Sequence, residues 1–423
     1  MATSHSMSNQ DAVLFEYYTS DKIKEQTYGE NPFWAFMQKE RGEQAGGRRY
    51  VQPVEFGHPG GASAKYAKAR TNASASSYGD FLIPRKKQYQ AVQVDHELLF
   101  ATTGQKAAFR KAMDEFDRGL KNLGEKLGKR CYRTQGGAIG QMANSSVAVS
   151  VITWADKASG FNLQIGDTLS FGTGDGSGEL DAGDTTTVTA VDIEGGTVTV
   201  ADQLNTKITG ITTTSFVFHD GDFNDCLAGL EDWLPVDNRA TKLAASFNSL
   251  TRSAAPDYLG GIFMDGTAMG GLDEVIIKLT GKVGKYGGSP SHIFMNPESC
   301  SDLELLTNSK LRIVAELNTR VIGDSGDVLV GFSGYRAICG GRTVKVYPDR
   351  NCPGNRLYAL ELGTFTLWYT GNDFVNWLGE SYTGHKIQPS PTDDAALAML
   401  GAYMNVGCSA PGHNGVAKIA LPS

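Results

Sequence analysis

The sequence lacks the features that would place the chain in a membrane or around a metal. No apolar run approaches the ~18 residues that a membrane-spanning helix needs, and the first ten residues lack the basic patch and apolar stretch of a secretory signal. The six cysteines are scattered without a CxxC pair, which argues against a structural zinc site. We therefore expect a soluble chain made in the cytosol, with no cofactor, metal or membrane contact, whose cysteines are small buried hydrophobic residues.

Motifs of catalytic proteins are also missing, because the sequence has no Walker loop, no GxGxxG after a strand and no HExxH. Gly323–Gly326 matches the nucleophile tetrapeptide of chymotrypsin-like proteases, but Asp327 and Val328 replace the Gly-Pro expected after it. No histidine stands in an Ala-Ala-His-Cys context, and a Ser-His-Asp site needs all three partners. The sequence therefore predicts a turn here, and a hydrolase acting through Ser325 is kept as an alternative.

A second group of polar residues echoes a calcium loop. Asp220, Asp222 and Asn224 are followed by Glu231, which lies eleven residues after Asp220. Asp225 occupies the position of the sharp-turn glycine on which calcium loops depend. A solvated turn is therefore expected rather than a cation site.

Composition indicates folded units that do not grip nucleic acid. The 423 residues are 40% hydrophobic and 20% charged, enough for two or three compact units with sizeable cores. The formal net charge of −7 argues against a tight DNA-binding protein, because such binding rests on neutralising phosphates with Lys and Arg.

The N-terminal segment is unusually aromatic. Between residues 11 and 39 the aromatic side chains are Phe15, Tyr17, Tyr18, Tyr28, Phe33, Trp34 and Phe36. Aromatic anchors are typical of interfaces, so we predict that Phe33, Trp34 and Phe36 contact another subunit. The alternative is that this arm covers the core of its own domain.

From Ala45 to Gly79 the chain loses hydrophobic periodicity and is rich in Gly, Ala and Ser. Strand-like segments flank this stretch, at Tyr50–Phe56 before it and at Phe81–Ile83 and Gln88–Asp95 after it. We interpret it as the tip of a two-stranded arm that projects from its subunit, the alternative being a flexible surface loop.

Compact basic groups bracket this arm. They are Arg48, Arg49, Arg85, Lys86 and Lys87. We predict that they form ion pairs with another subunit, the alternative being a solvated face.

The next two segments differ sharply in pattern. Gln105–Cys131 has apolar residues at steps of three and four and predicts a long helix, which Gly119, Gly124 and Gly128 should weaken locally. Val147–Phe218 is rich in Thr, Val and Gly and predicts a small sandwich or barrel. In it, Thr187–Ile193 and Thr197–Val200 predict a hairpin with a two-residue Gly-Gly turn.

Mixed α/β patterning then resumes. Predicted elements are a helix over Leu272–Val283 ending at Gly287-Gly288, a strand at His292–Met295, a helix capped by Asn296 and started by Pro297, strands at Val344–Tyr347, Arg356–Glu361 and Phe365–Trp368, and a helix or strand near Ala395–Tyr403.

The order of these elements resembles the major capsid proteins of tailed bacteriophages. Local segments agree with this resemblance, namely Gln52–Gly57, Gly229–Pro235, Phe294–Pro297 and Val346–Asp349. It implies an α+β chain with the Hong Kong-97-type fold: an N-terminal arm (1–44), an extended loop (45–95), a peripheral domain with a spine helix (96–140), an all-β insertion (145–220), an axial domain with peripheral-domain strands (221–375) and a C-terminal return (376–423).

The function implied by the resemblance is structural and not enzymatic. Copies would form hexamers and pentamers in an icosahedral shell around double-stranded DNA, in the virion and, during assembly, in the host bacterial cytoplasm. Expected partners are a separate scaffolding protein, a portal and a decoration protein. Some relatives cross-link through Lys and Asn, but neither Lys65 nor Lys68 is assigned this role, and no N-terminal cleavage is expected. Alternatives are an encapsulin-type nanocompartment shell, the hydrolase, and a β-rich binding module.

Overall fold

The computed structural model describes residues 31–42, 49–95, 105–180, 183–192, 194–310, 335–339, 342–371, 375–378, 387–389 and 394–421. These residues form two compact units. Unit 1 contains the described residues up to Asp232, together with Phe247–Leu250 and those within Phe365–Ser409. Unit 2 contains Trp233–Ser246, the described residues within Thr251–Thr364, and those from Ala410 onward. This division cuts across the predicted 221–375 and 376–423 segments.

The α-helices are α1 (Pro32–Phe36), α2 (Tyr66–Thr71), α3 (Gln105–Arg130), α4 (Leu204–Lys207), α5 (Leu230–Trp233), α6 (Arg239–Ala244), α7 (Pro256–Leu259), α8 (Leu272–Lys285) and α9 (Pro297–Lys310). The strands of the first half are β1 (Gln38–Arg41), β2 (Arg49–Gly57), β3 (Ser77–Pro84), β4 (Lys86–Asp95), β5 (Gly140–Gln141), β6 (Val151–Thr153), β7 (Thr168–Gly174), β8 (Ser177–Leu180), β9 (Thr186–Asp192), β10 (Thr197–Val200) and β11 (Phe216–His219). The later strands are β12 (Ser246–Phe247), β13 (Leu250–Thr251), β14 (Ile262–Asp265), β15 (His292–Met295), β16 (Tyr335–Cys339), β17 (Arg342–Pro348), β18 (Arg356–Leu360), β19 (Phe365–Tyr369), β20 (Asn376–Trp377), β21 (Ile387–Pro389), β22 (Ala395–Cys408) and β23 (Gly415–Lys418).

Strand β22 organises the main sheet of unit 1. It pairs antiparallel with β4, β19, β20 and β21, and β1 joins the sheet parallel to β19. The sequence predicts either a helix or a strand for this segment, and the structure shows a strand. Every second side chain from Ala398 to Cys408 is fully buried, as the two-residue period of a strand requires.

The long helix α3 confirms the predicted spine helix almost to the residue, but its glycines have a different role from the one expected. A Cβ atom at Gly119 would lie 2.3 Å from a methyl carbon of Val92 on β4. A Cβ atom at Gly128 would lie 2.2 Å from Oδ1 of the buried Asn31, whose Nδ2 donates a hydrogen bond to the Gly124 carbonyl. These glycines therefore let neighbouring segments approach the helix closely.

The predicted all-β segment is a small barrel. Its strands follow the order β5, β11, β7, β9, β10, β6, with β8 as an additional partner of β7. The bridge between Met142 and Trp154, with the hydrogen bond from Ala143 N to the Thr153 carbonyl, joins β6 back to β5 and closes the path. One core fills it, and Trp154, Leu169 and Phe171 are among its side chains.

The hairpin predicted within this barrel is confirmed, with one change. Strands β9 and β10 pair antiparallel, and Asp192 lies opposite Thr197. Four residues therefore separate the paired positions instead of two. An Asp192 carboxylate oxygen accepts a hydrogen bond from Gly195 N at 2.9 Å, and Gly196 has a positive φ of 62°.

Unit 2 is a mixed six-stranded sheet with the order β14, β23, β18, β15, β17, β16. Helix α8 buries Val275, Ile276, Leu279 and Val283 against this core, as its period predicts. The predicted cap of α9 is also confirmed, because Asn296 Oδ1 accepts a hydrogen bond from Glu298 N at 3.0 Å.

The cysteines behave largely as expected. Cys131, Cys226, Cys352 and Cys408 are buried and Cys300 is half-buried, all as free thiols. Burial raises the pKa of the Cys226 and Cys300 thiols to about 12, so both remain protonated at neutral pH. The side chain of Cys339 lies outside the described part of the chain.

A matched pair of glycines tests the close packing on α3. Alanine is the better helix former at both Gly128 and Gly281, but a Cβ at Gly281 meets nothing within 4 Å. We expect Gly128→Ala to lower the free energy of unfolding by roughly 1–3 kcal/mol, because Asn31 must move. Gly281→Ala should leave stability unchanged or raise it by up to about 1 kcal/mol. Urea unfolding of the purified subunit measures both, and equal effects would contradict the close approach.

Candidate assembly surfaces

Two cavities of the described residues differ in their lining. One, at the end of α3, is lined by ionisable side chains that include His219, Asp222 and Cys226, and the other lies in unit 2. A cavity of about 490 Å³ in unit 2 is lined mostly by apolar side chains, including Met269, Leu272 and Leu305, and Asp302 is the one ionisable residue in its lining. Nucleophilic catalysis needs a nucleophile beside a base. Among the described residues no three His, Cys, Asp or Glu side chains are grouped to hold a metal. Ser325 lies outside the described residues.

No helix within the described ranges is both long and apolar enough to cross a bilayer.

The contacts of the segment that resembles a calcium loop show what its residues do. The Asp222 carboxylate forms an ion pair with Arg130 at the end of α3, so it is not the solvated side chain that the sequence predicts. Asn224 has a positive φ of 54° and marks a turn. This segment is therefore a tight connection held by an ion pair.

Two of the three aromatic residues predicted to contact another subunit lie in the core of unit 1. Phe33 and Trp34 are 1% and 0% exposed, and the ring of Phe33 lies 5.5 Å from that of Tyr132 and 6.0 Å from that of Phe365. The intersubunit role predicted for Phe33 and Trp34 is wrong, because both side chains are already buried in the core of their own unit. Phe36 is 42% exposed and still presents a face outward.

Lys39 holds this aromatic segment in place. Its ammonium donates hydrogen bonds to the carbonyls of Trp34 and Met37, at 2.8 and 3.2 Å, at the end of α1. Cations are stabilising at helix C-termini, where carbonyls are otherwise unpaired. Burial lowers the pKa of Lys39 to about 8.

The basic residues that bracket the arm are not equivalent. Arg49 and Lys87 are exposed and Arg85 is half-buried. Lys86 forms an ion pair with Asp225 at 3.1 Å and donates to the Asn224 carbonyl, so its predicted intersubunit ion pair is corrected to one inside unit 1. Arg48 lies outside the described residues.

The base of the arm is fixed firmly in unit 1. Strands β2 and β3 pair antiparallel from Arg49–Pro84 outward to Gly57–Ser77. The ring of Tyr50 stacks on Trp368 at 5.7 Å and its hydroxyl hydrogen-bonds the Thr370 hydroxyl. On β3, the ring of Phe81 meets Phe247 edge-to-face at 6.0 Å.

The tip of the arm, which we define as residues 55–80, has no such cover. None of its residues is buried, although it carries Tyr66 and Tyr78, which are 84% and 69% exposed. Its shape is nevertheless defined. Gly60 N donates to both the Ser74 carbonyl and hydroxyl, and α2 forms inside the loop that they close. The sequence interpretation missed α2, although Lys-Tyr-Ala-Lys-Ala-Arg contains good helix formers.

A half-buried histidine, His219, lies among cations where α3 ends near the barrel. His219 Nδ1 lies 4.0 Å from Asp167, whose other carboxylate oxygen lies 3.8 Å from the Lys126 ammonium. Burial, followed by repulsion from Lys126, Arg130 and Lys129, lowers the pKa of His219 to about 3. This histidine is therefore neutral in the folded chain at neutral pH.

The position of His219 predicts a pH dependence of stability. The unfolded chain binds a proton there below about pH 6.5 while the folded chain does not, so stability is lost as the pH falls from 6.5 towards 3. Between pH 7 and pH 5 we expect the wild type to lose roughly 2 kcal/mol more than His219→Gln. Urea unfolding of both proteins at the two pH values measures this. An identical pH dependence would contradict a buried neutral imidazole.

Comparison with known proteins gives structural likeness alone. No family model matches the sequence, and no curated protein matches it. A chain of the cyanophage A-1(L) capsid asymmetric unit is 12% identical with a TM-score of 0.50, covering 92% of each chain. A chain from Mycobacterium phage Adephagia is 9% identical with a TM-score of 0.43, over 93% of this chain and 91% of that one. The SrpI encapsulin of Synechococcus elongatus is 10% identical with a TM-score of 0.38, over 92% and 87%. The first likeness confirms the fold predicted from the sequence.

Proposed function

We propose that this chain, which has the Hong Kong-97-type fold, is a major capsid protein whose copies form hexamers and pentamers in the icosahedral head of a tailed phage. The observation that carries the proposal is the arm, because it is anchored at its base while none of the residues of its tip is buried. A subunit that keeps a shaped and uncovered extension is suited to bind other copies of itself.

The parts of the chain take their roles from this fold. Unit 1 supplies the peripheral domain with α3 as its spine helix, and β2 and β3 are the extended loop. Unit 2 supplies the axial domain around which capsomers form. The small barrel is an insertion between the spine helix and the axial domain.

The surfaces that remain available in one copy define the intersubunit contacts. Phe36, Arg49, Arg85 and Lys87 supply an aromatic face and cations at the foot of the arm. An exposed ion pair contributes only about 0–1 kcal/mol. In a closed shell each copy makes several such contacts at once, and multivalency makes the whole stable.

The role is structural, and its partners follow from it. A separate scaffolding protein, a portal and a decoration protein complete the head, which forms in the host cytoplasm and becomes part of the virion. The net charge of −7 suits a wall that lies near packaged double-stranded DNA without holding it.

Deletion of the arm tip tests this function. The Gly60–Ser74 bridge closes the tip, so removing residues 61–73 and joining these two residues by a short glycine linker preserves the base. We expect the urea midpoint to stay close to that of the wild type, because nothing buried is lost, while closed shells disappear in electron microscopy. Both proteins are expressed together with the neighbouring genes, so that the scaffolding protein is present. Wild-type protein that forms no shells under these conditions, or deleted protein that still forms them, would contradict the proposal.

The cargo separates the phage head from the encapsulin alternative. Particles purified from cells that also express the neighbouring genes are treated with nuclease outside and then opened. Protected double-stranded DNA is expected of a phage head, and a packaged enzyme is expected of a nanocompartment.

A further inference from the structure

Charge is distributed unevenly between two parts of unit 1. Between Glu55 and Asp80 the sequence has the cations Lys65, Lys68 and Arg70 and no Asp or Glu. All three side chains are exposed, and no carboxylate of the described residues lies within ion-pair distance of them. Between its ends at Glu55 and Asp80 the arm tip is therefore a cationic surface that no carboxylate of the described residues neutralises.

The barrel has the opposite character. Residues 145–220 contain ten Asp and Glu residues and two Lys, a formal charge of −8 in a chain whose total is −7. Exposed carboxylates without a cation at ion-pair distance among the described residues include Glu179, Asp192, Glu194 and Asp202. The net negative charge of the chain is thus concentrated on this one segment, because the remaining residues sum to +1.

The tip also carries the kind of side chain that anchors interfaces. Tyr66 begins α2 between Lys65 and Lys68 and is 84% exposed. Tyrosine and arginine are frequent among the residues that dominate binding energy, and complementary charges select the partner. The surface is therefore more than a solvated face.

We propose that the cationic arm tip of one copy docks on the acidic barrel of another copy. The proposal rests on the proposed function and adds to it the acceptor of the arm. Every copy carries one tip and one barrel, so a heterologous contact can give every tip one barrel as its partner. DNA phosphates could neutralise the tip, but they would leave the acidic barrel without a partner.

An interface of this kind has a defined response to salt. Charges at an exposed contact are screened over about 8–10 Å at 0.1–0.15 M ionic strength, and over about 3 Å at 1 M. Complementary charge chiefly raises the rate of association and rejects wrong partners. Assembly of the wild type should therefore be slower at high salt.

Charge reversal with rescue tests the contact. K65E/K68E/R70E makes the tip acidic, and E179K/D192K/E194K/D202K makes the barrel basic. We expect each reversed protein to assemble at least about tenfold more slowly than the wild type in light scattering at 0.1 M salt, because like charges then meet. The protein carrying both sets should recover assembly to within about twofold of the wild type. K65R/K68R/R70K retains the charge and should assemble normally.

The outcomes separate this inference from the proposed function. One such outcome is that the wild type forms shells while the protein with both sets of reversals assembles as slowly as K65E/K68E/R70E. That result would overturn the docking but not the shell function. Normal assembly of either single reversal would also overturn it. If the fourfold barrel variant fails to fold by circular dichroism, D192K/E194K at the β9–β10 loop carries the same test.

Discussion

An antiparallel ribbon of two strands is only marginally stable in water unless a face of it is packed. The arm of this chain meets that condition at one end. Tyr50, Phe81 and Ile83 are buried at its base, whereas no residue from Glu55 to Asp80 is buried. The tip keeps its shape through local hydrogen bonds between Gly60 and Ser74. The described residues of the same copy bury no part of the tip, and in the proposed shell other copies cover it.

The rest of unit 1 supplies a rigid foundation for this arm. Strand β22 pairs with β4 and β19, while α3 approaches β4 so closely at Gly119 that a methyl group would not fit. Asn31 approaches α3 as closely at Gly128, and its Nδ2 donates a hydrogen bond to the Gly124 carbonyl. Close-packed protein interiors have low compressibility and transmit strain.

Elements that depend on local chemistry could be predicted from the sequence. The period of α3 and α8, the cap at Asn296 and the β9–β10 hairpin each follow from residues a few positions apart. The order of these elements was sufficient to suggest the fold. That order is a property of the whole chain, and it survives where identity to a structure of similar fold is 12%.

Features that depend on distant partners could not be predicted. Nothing near Phe33 in the sequence indicates that Tyr132 and Phe365 cover it, and nothing near Lys86 indicates Asp225. The glycines of α3 predict a weak helix from the sequence alone. In the structure they allow Val92 and Asn31 to pack closely against the helix. The sequence therefore predicts intersubunit contacts for Phe33, Trp34 and Lys86, whose partners lie within their own copy.

A cryo-electron microscopy reconstruction of particles formed by the purified chain tests the central claim most directly, because it shows which copy covers residues 55–80. The account predicts closed shells in which this tip lies on a different copy from the one that carries it. A dispersed monomer with the tip folded back on its own unit 1 would contradict it.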